Sequence, residues 1–289
     1  MGVGNSLVEG MLRDANARFI NEVKEGNYEK LLKQMAFTSE YSVNNQMLLG
    51  MQNIMHTKLR TFEEWESYGR HVKKGEKSVR IVVPRPASYS RKTDCTLALG
   101  WVFDIDQTYG QEQEPMTLAG IYKVSPQGLI EGIKAQLAGY KIQSMQRTAG
   151  CDAVIDTSKR EICINEELPQ DKYLKLLIQQ VIIAKSLQQK EESPKIEGFS
   201  ANMARFKVDS ATFAVMANLG MEDQISKEII HELSQMNEGQ LMSLKEVFVE
   251  ISDMANMIIE GTLESCLSGR PYTKNADKVK EETGKELVA

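Results

Sequence analysis

Histidine is the scarcest chemistry-bearing residue in this chain. Its three histidines, His56, His71 and His231, lie far apart in 289 residues. Ser–His–Asp and Cys–His catalysis needs an imidazole beside a nucleophile, and three dispersed histidines support no such set. Cysteine is nearly as sparse. Cys95, Cys151, Cys163 and Cys266 are scattered, and no C-x-x-C occurs. That usage suits a reducing cytoplasm. Cys151 and Cys163 can meet across a hairpin, with plain packing as their other reading. No apolar run approaches the ~18 residues of a membrane span. The first residues lack the charged-then-apolar order of a secretory signal, and Met1 to Ser6 fits only the loose pattern for N-myristoylation. Neither the phosphate loop G-x-x-x-x-G-K-S/T nor the dinucleotide turn G-x-G-x-x-G is present. The expectation is a cytoplasmic protein with no membrane partner and no cofactor.

What the chain does have is a basic block. Residues 58 to 92 hold ten Lys or Arg against four acids, in a chain of net charge −5. The remainder is strongly acidic, so the block is a localised footprint, and polyanions are the usual partner for one. Trp65, Tyr68 and Tyr89 are interleaved with these cations. Single-stranded nucleic acid sites combine both groups, because bases stack while phosphates pair. A solvated surface is the plainer account of any charge run. Against it, Lys73, Lys74 and Lys77 bracket a turn glycine and Arg80 enters a strand, so they can converge on one edge. Trp65 and Tyr68 lie three apart on one helix face, where they either pack or stack. Asn44 and Asn45 either reach phosphate and sugar or cap a helix. Gln107-Thr108 follows a strand end and reads as a turn or a ligand-facing loop. Trp101, on a strand amid apolar neighbours, reads as core.

Periodicity supplies the elements. Residues 6–36 read as helix broken at Gly26-Asn27, followed by a short helix over 44–53. Thr61-Phe62-Glu63-Glu64 is a capping box that starts a helix ending near Gly69 in a left-handed turn. Strands are expected over 79–83, closed by Pro84 and Pro86, and over 97–105. A linker is expected near 116–126 and a helix over 128–138. Ala153 to Ile155 and Glu161 to Ile164 form a hairpin. Helices follow over 171–189, 201–219, 226–235 and 238–268, the last with one face buried. The expected class is α+β: a basic α+β domain over 1–115, a linker over 116–126, a mainly helical part with a small hairpin or sheet over 127–269, and a polar tail over 270–289.

Four blocks carry a resemblance: Tyr41 to Leu49, Trp65, Gly69 to Lys77, and Val102 to Thr108. In this order they resemble the N-terminal domain of the ArdC antirestriction family, a pattern shared by LtrC-like proteins of conjugative elements. The resemblance implies non-specific binding of single-stranded DNA by a protein of plasmids or conjugative transposons. On it the candidate binding residues are Trp65, Tyr68, Arg70, Lys73, Lys74, Lys77, Arg80, Asn44, Asn45 and Gln107. It also implies a C-terminal domain similar to a zinc metallopeptidase, whose helix carries H-E-x-x-H. Here the aligned span is Gln179-Gln180-Val181-Ile182-Ile183. Gln179 and Ile183 stand for the two His and Gln180 for the Glu, while Asp209 stands near the place of a third, acidic ligand. Isoleucine cannot ligate zinc, and an amide cannot take a proton near neutral pH. The expected domain is therefore zincin-like, without metal and without peptidase activity. His231-Glu232-Leu233-Ser234-Gln235 nearly spells the motif but ends in Gln and lies on the wrong side of Asp209. Two rivals remain: a protein-interaction scaffold in a transfer or antirestriction complex, and a metallopeptidase with unconventional ligands.

Overall fold

The computed structural model describes residues 3–52, 58–84, 97–110, 117–137, 139–146, 151–187 and 196–268. Its class is α+β, as expected, and its contacts divide it into two compact units. Among the described residues the first unit takes 3–19 and 44–110, and the second takes 20–43 and 117–268. No helix among the described residues is long and apolar enough to cross a membrane.

Helix α1 (Val3–Lys24) starts in the first unit and ends in the second, to which α2 (Tyr28–Thr38) belongs. The first unit resumes with α3 (Val43–Met51), β1 (Leu59–Arg60), α4 (Phe62–Ser67), β2 (Arg70–Val72), β3 (Val79–Pro84), β4 (Leu97–Asp104), a 3-10 turn (Ile105–Gln107) and β5 (Thr108–Gly110). The expected capping box opens α4: Thr61 N–H donates to Glu64 Oε2 at 2.7 Å, and Glu64 N–H donates to Thr61 Oγ1 at 3.2 Å. Gly69 ends the following turn at φ +68°, as expected. Strands β1, β4 and β3 form one antiparallel sheet in that order. Strands β2 and β5 form a separate ribbon, in which Arg70 faces Gly110 and His71 faces Tyr109. Gly110 has φ +138°, and a Cβ there would lie 2.4 Å from the Gly69 carbonyl oxygen, so only glycine closes this ribbon.

The second unit continues with α5 (Leu118–Val124), α6 (Pro126–Ala135), β6 (Lys141–Met145), β7 (Ala153–Asp156), β8 (Glu161–Asn165), α7 (Gln170–Ser186), α8 (Met203–Asn218), α9 (Lys227–Ser234) and α10 (Glu238–Ser268). The expected hairpin is β7–β8, and β6 adds to it in parallel, giving the order β6-β8-β7. Its turn is fixed by Asp156, whose carboxylate accepts from the Ser158 hydroxyl and from the backbone N–H groups of Ser158 and Lys159. Those bonds, the Ser158 hydroxyl first, hold its pKa down at about 2. Helix α8 is apolar nearly all round and is buried against α2, α7 and α10. Tyr28 of α2 stacks on Phe206 and meets Phe248 edge-on. Its fully buried hydroxyl donates to Ser210 Oγ at 3.1 Å, and burial pushes its pKa well above the ordinary value.

Two boundaries depart from the sequence expectation. The span 116–126 holds helix α5, capped by Thr117, whose hydroxyl accepts from Gly120 N–H, and Leu118 is fully buried. Leu118 N–H donates to Asn218 Oδ1, and Asn218 Nδ2 donates to the Ala36 carbonyl, so one buried amide ties α2, α5 and α8 together. Helix α2 accordingly packs in the second unit, although it lies inside the contiguous domain expected over 1–115. The expected tail over 270–289 lies outside the described residues.

Candidate nucleic-acid interface

The candidate cations sit on one stretch, tied down at both ends. At its start, Gln107 acts as a clamp. Its Oε1 accepts from Asp104 N–H at 2.9 Å, and its Nε2 donates to the Lys77 carbonyl and to Glu76 Oε2, each at 2.9 Å. Its own carbonyl accepts from Lys73 N–H, and Lys73 Nζ donates to the Asp106 carbonyl at 2.7 Å. The turn over 73–77 is thereby held on the end of β4. At the other end, Gln52 accepts from Arg80 N–H at 3.1 Å and donates to the Arg80 carbonyl at 3.0 Å. Lys74, Lys77 and Arg80 are exposed, and their charged ends have no hydrogen-bond or ion-pair partner among the described residues. Three cations are thus held by the backbone and left open to an anion.

Trp101 takes the place opposite to that expected, and Trp65, a candidate for stacking or packing, packs. Trp65 is 0% exposed. Its indole N–H donates to the Phe103 carbonyl at 2.8 Å, fixing α4 to β4, so the ring offers no face to a base. Trp101, expected in the core, is 55% exposed, and its indole makes no ring contact or hydrogen bond among the described residues. It stands directly across the β3–β4 ladder from Arg80, on the same face of the sheet. Tyr68 is 44% exposed, with the Arg60 guanidinium 4.2 Å from its ring centre. Tyr109 is 57% exposed beside His71, whose Nδ1 lies 2.8 Å from Glu66 Oε1.

Three further candidates are structural. Asn45 is buried, and its amide both accepts from Val82 N–H and donates to the Val82 carbonyl, each at 2.8 Å. That pair locks α3 to β3 and leaves nothing for a phosphate. Gln107 is spent on the clamp just described. Arg70 Nε donates to Thr108 Oγ1 at 2.8 Å and its guanidinium lies 6.0 Å from the Trp65 ring, so it braces the ribbon. Asn44 is half-buried on α3. Arg85, Tyr89, Arg91, Lys92, Cys95 and His56 lie outside the described residues. The residue missed from sequence is Trp101. The run Leu97 to Phe103 is apolar at almost every position, which hides the alternation that marks an outward face, and the sequence carries no signal of its pairing with Arg80.

In the second unit, Gln179, Gln180, Ile183 and Asp209 line one cavity of about 740 Å³ between α7 and α8. Gln179 Nε2 donates to Asp209 Oδ1 at 3.1 Å, and Arg205 Nε donates to Asp209 Oδ2 at 2.9 Å. Gln180 is buried, and its Oε1 has no hydrogen-bond partner among the described residues. Among the described residues no three His, Cys, Asp or Glu side chains gather as a metal-ligand group. Glu232, next to His231, accepts from both the N–H and the hydroxyl of Ser200. Cys151, Cys163 and Cys266 are free thiols.

No curated protein matches the chain. Two solved structures resemble it: the antirestriction ArdC protein from plasmid R388 in a Mn(II)-bound form, at 15% identity over 88% of this chain and 97% of that one with a TM-score of 0.47, and the same protein in a metal-free form, at 14% identity over 83% and 98% with a TM-score of 0.41. Residues 11–124 match the sequence profile of the N-terminal domain of anti-restriction factor ArdC. That span includes all four blocks on which the resemblance was drawn. The likeness to that protein is carried by residues 11–124.

Proposed function

We propose that this chain is a cytoplasmic single-stranded DNA-binding protein of a mobile element, acting in antirestriction or conjugation. The observation that carries the reading is the pairing of cations with an open ring: Lys74, Lys77 and Arg80, whose charged ends have no partner among the described residues, and Trp101, exposed opposite Arg80. Phosphates need fixed positive charge, and unpaired bases need a flat apolar face. No base-reading helix or ribbon is needed for this mode, so binding is largely independent of sequence. The match of residues 11–124 to the N-terminal domain of anti-restriction factor ArdC supports the antirestriction context.

The second unit, in this reading, is a metallopeptidase-like scaffold without metal chemistry. Its donor set does not fit a zinc ion. Ile183 has no donor atom, and both oxygens of Asp209 are already engaged, one by the Gln179 amide and one by the Arg205 guanidinium. Gln180 cannot serve as a general base near neutral pH. A second reading, an interaction scaffold, draws support from the same cavity, since the buried Gln180 side-chain carbonyl accepts no hydrogen bond among the described residues.

The test is a salt titration of a fluorescent single-stranded oligonucleotide against the parent protein and the Lys73→Glu, Lys74→Glu, Lys77→Glu triple variant. Log affinity should fall linearly with log salt, at about −0.7 per phosphate neutralised. The triple variant should lose measurable binding at moderate salt. Equal binding by parent and variant would overturn the assignment.

A further inference from the structure

We propose that the groove beside Arg80 holds one unpaired base and favours bases bearing an exocyclic amine. The proposal rests on the single-strand reading above and deepens it. The groove lies within the first unit, between the N-terminal part of α1 and the end of α3, and its volume is about 520 Å³. That falls within the ~300–1,000 Å³ range of small-ligand sites. Its floor is apolar: Met11, buried Leu48, and Met51, which is 48% exposed. Soft thioethers suit the flat face of a base. Gly10 keeps the opening clear, since a Cβ placed there meets nothing nearer than Arg13 Nη2 at 3.8 Å.

Two charged groups line this groove, Arg80 and Asp14. Neither side chain has a hydrogen-bond or ion-pair partner among the described residues, and they do not pair with each other. An exposed acid left unpaired beside an unpaired guanidinium is a poor arrangement for stability alone. It fits a nucleotide, which brings an anion at one end and a hydrogen-bond donor at the other. The phosphate goes to Arg80. The ionised Asp14 carboxylate only accepts hydrogen bonds, so it selects a base edge that donates. Cytosine N4 and adenine N6 each present a two-hydrogen amine, whereas unpaired thymine presents only its N3–H, set between two carbonyl oxygens that the carboxylate repels. Arg80 also faces Trp101 across the β3–β4 ladder, so a base in the groove lies next to one stacked on the indole. Gln52 fixes the backbone of Arg80 to α3 and so sets the depth of the site.

The experiment compares a fluorescein-labelled deoxycytidine dodecamer with a thymidine dodecamer by anisotropy, at one salt concentration. The two pyrimidines differ in this edge and in the thymine C5 methyl, and the Asp14 variant isolates the edge, since it leaves the methyl contact unchanged. The parent should bind the cytidine strand about fivefold more tightly. Asp14→Asn should bring the two affinities to parity. The ratio is the readout, because loss of one negative charge moves both affinities together. Asp14 is exposed on its helix, so this variant keeps the fold. Gly10→Leu, which places a side chain across the opening, should also erase the ratio. Equal binding of both strands by the parent overturns the groove assignment and leaves the single-strand reading standing. A preference that survives in Asp14→Asn also overturns it. If the parent binds neither strand, the single-strand reading falls and the groove assignment falls with it.

Discussion

Trp65 and Trp101 show how far a residue's role can be taken from its neighbours in sequence. Trp65 stands between Glu64 and Glu66, which reads as a wet surface, yet a helix turns successive residues about 100° apart and can bury one position among charged ones. Trp101 stands among aliphatic residues, yet a strand turns every second residue outward. Burial was therefore legible only from pairing, which the sequence does not state. The two positions give opposite expectations on truncation. Trp101→Ala should weaken single-strand binding by about 1–3 kcal/mol, the usual worth of one aromatic stacking contact, with thermal stability almost unchanged. Trp65→Ala should destabilise the fold by about 3–5 kcal/mol, since it leaves a cavity and orphans the Phe103 carbonyl. Thermal unfolding beside anisotropy separates the two effects. A Trp101→Ala protein that binds as tightly as the parent would remove the indole from the interface. Asn45 and Gln107 teach the same lesson. Amides at the ends of elements were legible as hydrogen-bonding groups, but their partners, Val82 and Lys77, are more than two dozen residues away.

At the scale of elements, long periodic segments were legible and short ones were not. Helices α7, α8, α9 and α10 lie within a few residues of expectation because each repeats an apolar stripe or buries most of its surface. Strands β1, β2 and β5 span two or three residues, too few to show any period. They exist because a longer partner or a glycine turn places them. Helix α5 was hidden in an expected linker because its cap, Thr117, precedes only seven helical residues. Helix α7 carries the chemical question. Gln179 and Ile183, four residues apart, share one helix face toward α8, the arrangement that two imidazoles would need. The side chains present instead tie α7 to α8 through the Gln179–Asp209 hydrogen bond. Metal analysis of protein purified without chelator should find zinc far below one per chain. Stoichiometric zinc that survives dialysis would require ligands other than Gln179, Ile183 and Asp209 and would reopen the peptidase reading.

For the whole molecule, the order of the sequence and the order of packing disagree. The matched family span, 11–124, covers helices of both units, because α2 and α5 lie inside it and pack on α8 and on α10. A contiguous cut near residue 116 therefore divides one core. Leu31, Leu32 and Met35 of α2 are fully buried, and Tyr28 supplies the hydroxyl that Ser210 accepts from. Burying four such side chains contributes about 1.5–3 kcal/mol each, which exceeds the roughly 5–15 kcal/mol margin of a typical domain at its lower end. A fragment over 117–289 should consequently fail to unfold cooperatively on heating, while the full chain shows a sharp transition. Adding a synthetic peptide of residues 20–43 in excess should restore cooperativity to the fragment, since that peptide carries α2 and its buried face. Circular dichroism during a thermal ramp reads both outcomes. If the fragment alone melts as sharply and as high as the full chain, α2 is a passenger on the second unit, and the contiguous boundary near 116 is the physical one after all.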